Sequence, residues 1–348
     1  MVSKIIKKIS FLFFVLSLSV VFNSMIQNSA EAKCQRDSNN AIKVTTGDST
    51  VFALTGTETY DQDNCNEEPL FYKVRFFRLA LCTSDPYNAG DGTDGVAPDL
   101  SSCTNIWTGD KTIVIQPGKT TELINSFDIA AGTYTHAYTI VSNHLSVKHY
   151  DRFALASNGS EATMYGYAAS GDQTGNYCWT KSTTTTYNND YNKTLHGLTL
   201  PSADLSGTSA TNTMVCGDSA PSASTSSYDY AIEIIDHLGD DNVTDDSTAF
   251  RNFLDYLDME GINGQVAGLL MQSDGSSLAS TVANGRRLAH IQTLLPKLDV
   301  DEKTVGINLS FNTSESVSID TAVNSSNTHA IKVGADPFGL NFSLFKTF

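Results

Sequence analysis

Positive charge is in short supply in this chain. Its 348 residues hold 22 lysines and arginines against 38 aspartates and glutamates, a formal net charge of −16. Phosphate backbones and anionic headgroups are bound by clustered Lys and Arg, so this balance excludes nucleic acid as an expected partner. A solubilising surface for a salty or extracellular medium is the plain reading of the acidity. Reaction signatures are missing too: there is no GxSxG, no HExxH and no GxGxxG set between a strand and a helix. Such patterns place a nucleophile, a metal pair or a phosphate cradle on a defined backbone. Without one, no catalytic residue is assigned and a non-catalytic protein is expected. No CxxC occurs, which removes the signature of a zinc ribbon or a thioredoxin-like redox pair.

What is there begins with a leader. Lys4, Lys7 and Lys8 precede an apolar run from Ile9 to about Phe22, and a polar stretch then ends in Ala30-Glu31-Ala32. That order is the anatomy of a cleaved secretory signal, and the run falls short of the ~20 residues of a spanning helix. Residues 1–32 are expected to be removed, leaving no spanning segment. Lys33 directly before Cys34 argues against lipidation. The expected location is secreted, periplasmic or cell surface. Without the leader, 19 basic residues face 37 acidic ones, a net charge near −18.

All six cysteines, Cys34, Cys65, Cys82, Cys103, Cys178 and Cys216, lie beyond the leader. An even count in an exported chain favours disulfides, with fifteen pairings open for six cysteines. Nearest-neighbour pairing is expected because each pair flanks a polar loop: Cys34 with Cys65, Cys82 with Cys103, Cys178 with Cys216. Closing loops of these sizes stabilises by roughly 3–4 kcal/mol each in the chain-entropy model.

Strand-like runs dominate the body. AIKVTT and STVFALTG read as a strand pair across Gly47-Asp48. In FYKVRFFRLALC, aromatic and aliphatic residues fall on both parities, so this strand is expected to be central and covered along most of its length. Thr112 to Ile115 is a strand, Gln116-Pro117-Gly118-Lys119 a turn with proline in second place, and Thr133 to Ser142 a strong strand. Together the "LCTSDP" loop, the "IQPG" turn, "ELI" and "AAGTYTHAYTIV" resemble bacterial secreted domains of unknown function with a transthyretin-like or immunoglobulin-like sandwich. In those domains a phrase such as L-P-A-G-T-Y introduces a core strand; here Ala130 stands where proline is common. The resemblance covers about residues 70–148 and implies a fold, with no catalytic residues to transfer.

Three groups of residues invite a site. Asp85, Asn88, Asp91 and Asp94 lie in a glycine-rich loop whose oxygens suit calcium, although a solvated turn is the preferred reading. His136, His144 and His149 lack a ligand set at a familiar spacing and read as polar residues of a sheet. Tyr177, Trp179 and Tyr187 sit in a Thr-, Ser-, Asn- and Tyr-rich stretch and could line a sugar-binding surface; the alternative is a hairpin insertion whose tyrosines cover a sheet.

Farther on, Asp245-Asp246-Ser247 reads as an N-cap for a helix over Thr248 to Met259, carrying a stripe of Phe250, Phe253, Leu254 and Leu257. Leu278 to Leu298 is taken as a second helix with Arg286 and Arg287 outward. VGINLSFN, SVSID, HAIKVGA and FGLNFSLFKTF are strands. The expected organisation is a leader over 1–32, a sandwich core over 33–157, an insertion over 158–227, a helical segment over 228–300 and sheet-completing strands over 301–348. The fold class is mainly β, an antiparallel β-sandwich with a polar insertion and a small helical segment. The expected role is structural, adhesive or surface-assembling, with a carbohydrate- or calcium-dependent binding module as the alternative and a secreted hydrolase behind both. Surface glycan or like subunits are the expected partners.

Overall fold

The computed structural model describes residues 33–44, 65–87, 96–119, 129–166, 174–186, 194–195, 198–199, 213–235, 238, 253–258, 264–281, 284–323, 329–336 and 338–347. The leader, the STVFALTG run and residues 245–252 lie outside them. Strands carry the architecture, and the described residues include no α-helix; a 3-10 turn lies at Leu100–Ser102. In chain order they are β1 (Ile42–Val44), β2 (Cys65–Glu67), β3 (Phe71–Cys82), β4 (Cys103–Ile115), β5 (Gly132–Ser142), β6 (His144–Lys148) and β7 (Tyr150–Leu155). There follow β8 (Met164–Gly166), β9 (Tyr177–Thr180), β10 (Thr183–Thr186), β11 (Thr194–Leu195), β12 (Leu198–Thr199), β13 (Met214–Gly217) and β14 (Ala231–Ile234). The last are β15 (Phe253–Asp258), β16 (Gln265–Met271), β17 (Arg287–Val300), β18 (Thr304–Asn312), β19 (Val317–Val323), β20 (His329–Ala335) and β21 (Gly339–Lys346).

The expected helices are strands, which corrects the helical segment of 228–300. Phe253–Asp258 pairs antiparallel with β16, and Arg287–Val300 lies between β16 and β5. A helical stripe and a strand buried on both faces look alike over a few residues. In β17, Leu288 is half-buried while Ala289, His290, Ile291 and Gln292 are buried whichever way they point, so no two-residue period survives. Pro296 falls where the β17–β5 register shifts, between Thr293 and Leu298, a place a sheet tolerates and a helix interior does not.

A nine-stranded sheet runs β10-β14-β6-β3-β5-β17-β16-β15, with β4 on the other edge of β3. β5 and β6 are two halves of one line interrupted at Asn143. There the Asn143 carbonyl accepts from the Ile235 N–H (2.8 Å), and its side-chain amide donates to the Ile235 carbonyl (2.9 Å). The line thus leaves β17 as neighbour and takes up β14. Two four-stranded sheets, β1-β7-β9-β13 and β2-β19-β20-β8, and the pair β18-β21 complete the sandwich-like arrangement. Strands from 158–227 are woven in, since β9 pairs with β7 and β8 with β20. The 301–348 strands complete a sheet through β19 on β2.

One face of β3 is fully sealed. Tyr72, Val74, Phe76, Leu79 and Leu81 are buried, and β18–β21 lies over them. Phe338, between β20 and β21, packs its ring 5.6 Å from Tyr72, 6.0 Å from Phe76, 5.7 Å from Phe311 and 5.8 Å from His290. Edge-to-face and offset contacts of this kind add to the large area that aromatic rings bury. The Tyr72 hydroxyl donates to the Asp336 carbonyl at 2.9 Å, and Gln292 uses both ends of its amide on Leu340, donating to the carbonyl and accepting from the N–H. The three disulfides are Cys34–Cys65, Cys82–Cys103 and Cys178–Cys216, the last two joining residues directly opposite in β3–β4 and β9–β13. The expected Gln116–Lys119 turn closes with Lys119 N–H on the Gln116 carbonyl (3.0 Å), and Gly118 supplies the positive φ of 68°.

Candidate functional site

Charged groups come together in two places, one enclosed and one open. The enclosed one starts from the first disulfide. Cys34–Cys65 sets two chain segments side by side, so that Arg36 and Glu67, each two residues beyond a cysteine, meet at 3.0 Å. A tight turn prepares the arginine: the Asp37 carboxylate accepts from the N–H groups of Asn39 and Ala41, and Asn40 takes a left-handed φ of 64°. The Arg36 guanidinium also grips Asp151 with two bonds, 2.8 and 3.1 Å, and donates to the Asn40 carbonyl. Asp151 accepts in turn from His149 Nε2 at 2.6 Å. A carboxylate only accepts, so Nε2 carries the proton, and Nδ1 is buried without a partner.

Burial alone would raise the Asp151 pKa, but the hydrogen bonds and charges of His149 and Arg36 overcome it and hold the carboxyl below its ordinary range. Burial likewise works against the Arg36 cation, yet Asp151 and Glu67 hold its pKa above the usual value. The cluster resembles a histidine oriented by a carboxylate. Both Asp151 oxygens, however, are engaged by the guanidinium, so that carboxylate's charge is already neutralised. What the arrangement does is join the N-terminal segment, β2 and β7.

The open place is the Phe71–Arg78 stretch of the second face of β3; farther along that face Ala80, Cys82 and the neighbouring Tyr138 are buried in a second core. Lys73, Arg75 and Arg78 project from the open stretch, with Lys148 of β6 and Arg287 of β17 on the same side by register. Their neighbours are aromatic. Lys73 Nζ lies 4.1 Å from the Tyr230 ring, Lys148 Nζ 4.2 Å from Tyr228, and the Arg287 guanidinium 3.9 Å from Phe77. Arg78 stands 5.6 Å over Tyr138 and donates to Asn105 Oδ1. Arg75 is bonded to Asp110 at 2.6 Å with both side chains about half exposed. Burial raises the Tyr228 hydroxyl to about 12 and also pushes Tyr230 upward, so both phenols remain donors.

The residues singled out from sequence are scattered. Asp85 Oδ1 accepts from the Tyr87 N–H, an Asx turn, while Asn88, Asp91 and Asp94 lie outside the described residues, as does Tyr187. Trp179 is not an exposed stacking platform. It is 6% exposed and its indole N–H donates to Ser227 Oγ at 2.9 Å, because β9 lies inside a four-stranded sheet. Tyr177 is half-buried with Arg152 5.8 Å over its ring. His136 is buried between Thr135 and Thr293, where burial lowers its pKa against a weaker pull from Asp85. His144 is half-buried, and His149 belongs to the enclosed cluster. Among the described residues no three His, Cys, Asp or Glu side chains are placed to hold a metal, and no helix is long and apolar enough to cross a membrane. The crevice between Ala231 and Val333 holds no room for a water molecule. Sequence reasoning missed both charged places. The open row had a signal in the one-parity Lys73 and Arg75, and the enclosed one in the equal offset of Arg36 and Glu67 from paired cysteines.

No family model, curated protein or solved structure matches this chain.

Proposed function

We propose that the chain is an exported, non-catalytic β-sandwich protein, kin to the transthyretin-like or immunoglobulin-like type, with a structural, adhesive or surface-assembling role outside the cell. The observation that carries this reading is the open basic and aromatic face of the central sheet in a chain that is otherwise strongly acidic. The buried polar groups support it in another way, because they tie strands together: Arg36 and Asp151 across three segments, Gln292 to β21, Glu233 Oε2 to the Ala335 N–H. Three disulfides suit an oxidising compartment. A tagged full-length chain expressed in its own cells tests the reading. Oxidised protein in the surface or medium fraction, with loss of surface attachment on deletion, is the expected result; reduced protein in the cytosol overturns it.

A further inference from the structure

We propose that the open stretch of the central sheet, from Lys148 and Tyr228 through Lys73 and Tyr230 to Arg75 and Arg287, binds an extended polyanionic glycan bearing carboxylates on successive sugars. The inference rests on the adhesive reading for its setting and adds the chemistry of the partner.

Three observations carry it. The first is periodicity. Lys73 and Arg75 are two residues apart on a straight strand, hence roughly 7 Å, and the row from Phe71 to Arg78 extends roughly 23 Å at 3.3 Å per residue. Such a row matches a linear polymer with repeating charge better than a small compact anion. The second is unspent charge. Among the described residues Lys73, Lys148 and Arg287 form no ion pair, although Asp110 feels the Arg287 charge; their cationic heads rest on Tyr230, Tyr228 and Phe77. Aromatic faces hold a cation in place without neutralising it, so little side-chain entropy is lost when a carboxylate arrives. Among the described residues the acids near the row are few: Asp110 is paired with Arg75, Asp229 adjoins Tyr230, and Asp274 is turned onto Ser276 and Ser277.

The third is the mixture of groups. Tyr228 and Tyr230 offer hydroxyls, and Asn105 and Thr112 on β4 are exposed polar neighbours of Arg78 and Arg75. Hydroxyl-rich carboxylated sugars use both kinds of contact. A membrane would instead call for apolar side chains, and on this face Val114 is the large exposed one. The acidic remainder of the molecule repels any polyanion, so binding is confined to this stripe and is sensitive to salt.

The test uses the purified, oxidised full chain and polygalacturonate as the probe, titrated by calorimetry in 50 mM salt. Binding that weakens at least tenfold in 300 mM salt is expected, with fully methyl-esterified polymer not binding. Lys73→Glu with Lys148→Glu is expected to weaken binding at least tenfold, whereas Lys297→Glu with Lys303→Glu, the same charge change at exposed positions elsewhere, leaves it unaltered. Should the first pair fail to fold, Arg75→Gln alone at its exposed position is expected to weaken binding about threefold. No binding in 50 mM salt, or equal losses in the two double variants, overturns the proposal. Equal affinity for polyglutamate or single-stranded DNA overturns its glycan assignment. A negative result leaves surface location standing, since that is read by fractionation, and a cytosolic chain that still bound the polymer would sink the adhesive reading alone.

Discussion

On one side of β3, Tyr72, Val74, Phe76, Leu79 and Leu81 are shut beneath β18–β21; on the other, Ala80 and Cys82 enter a second core while Lys73, Arg75 and Arg78 reach partly or fully into solvent beside aromatic rings. Composition differs little between the two sides in aromatic content, since Tyr72 and Phe76 face one way and Phe77 and the neighbouring Tyr138 the other. What differs is the fate of the polar groups. On the sealed side each polar side chain has to be matched or kept neutral. Gln292 is bonded at both ends, and His290 lies flat on Phe338, its pKa driven to about 4 by burial against the weaker opposing pull of backbone hydrogen bonds. On the open side charge is left to interact with whatever arrives. Burial, more than residue type, decides which side holds the fold and which is free for binding.

Substitutions sharpen this contrast, beginning with the sealed side. Phe76→Ala removes a ring that contacts both Phe311 and Phe338 and is expected to cost about 3–5 kcal/mol, read as a fall in the denaturation midpoint at constant m-value. An unchanged midpoint would mean that β18–β21 is not seated on β3. Next comes a pair of arginines with similar bonds and different burial. Arg36→Met strands Asp151 and Glu67 in the interior and is expected to cost about 3 kcal/mol. Arg75→Met, at an exposed ion pair, is expected to change stability by at most about 0.5 kcal/mol; equal effects from the two would break the comparison.

Acid provides a third test. His290 has a folded pKa near 4 against an ordinary 6.5, so the unfolded chain binds the extra proton between those values. Stability is complete above pH 6.5 and falls as pH drops toward 4, by up to about 3 kcal/mol. His290→Phe is expected to flatten that limb in urea titrations taken at successive pH values. Asp151, with its depressed pKa, adds stability present at neutral pH and lost as pH falls below its ordinary 3.8; Asp151→Asn moves that lower limb and not the upper one. The smallest effect belongs to the open side, where Lys73→Ala is expected to alter stability by less than about 0.5 kcal/mol while changing salt-dependent binding.

Much of the framework could be read from the chain. Phe71 to Cys82 carries apolar residues on both parities and is the central strand, the Gln116–Lys119 turn follows from proline and glycine placement, and the four C-terminal runs are β18 to β21. The disulfide pairing was accessible because each polar loop sits between consecutive cysteines. Strand β17 was not legible as a strand, since burial on both faces erases the period that distinguishes it from a helix, and Pro296 was the local clue; in β15 the i, i+3, i+4, i+7 spacing of apolar residues imitated a helical stripe. β1 pairs with β7, 110 or more residues away in sequence, a partnership that no local pattern encodes. The Arg36, Glu67, His149 and Asp151 cluster was hidden for the same reason: its members sit on three segments that meet only after the chain has folded. For Trp179, aromatic composition suggested a platform, whereas sheet position decides exposure.

The bond from the Tyr72 hydroxyl to the Asp336 carbonyl links residues 264 positions apart. The core beneath β18–β21 therefore stays open until those strands have been made, because Phe338 joins rings that were synthesised early. A ribosome would release most of this chain before that core could close.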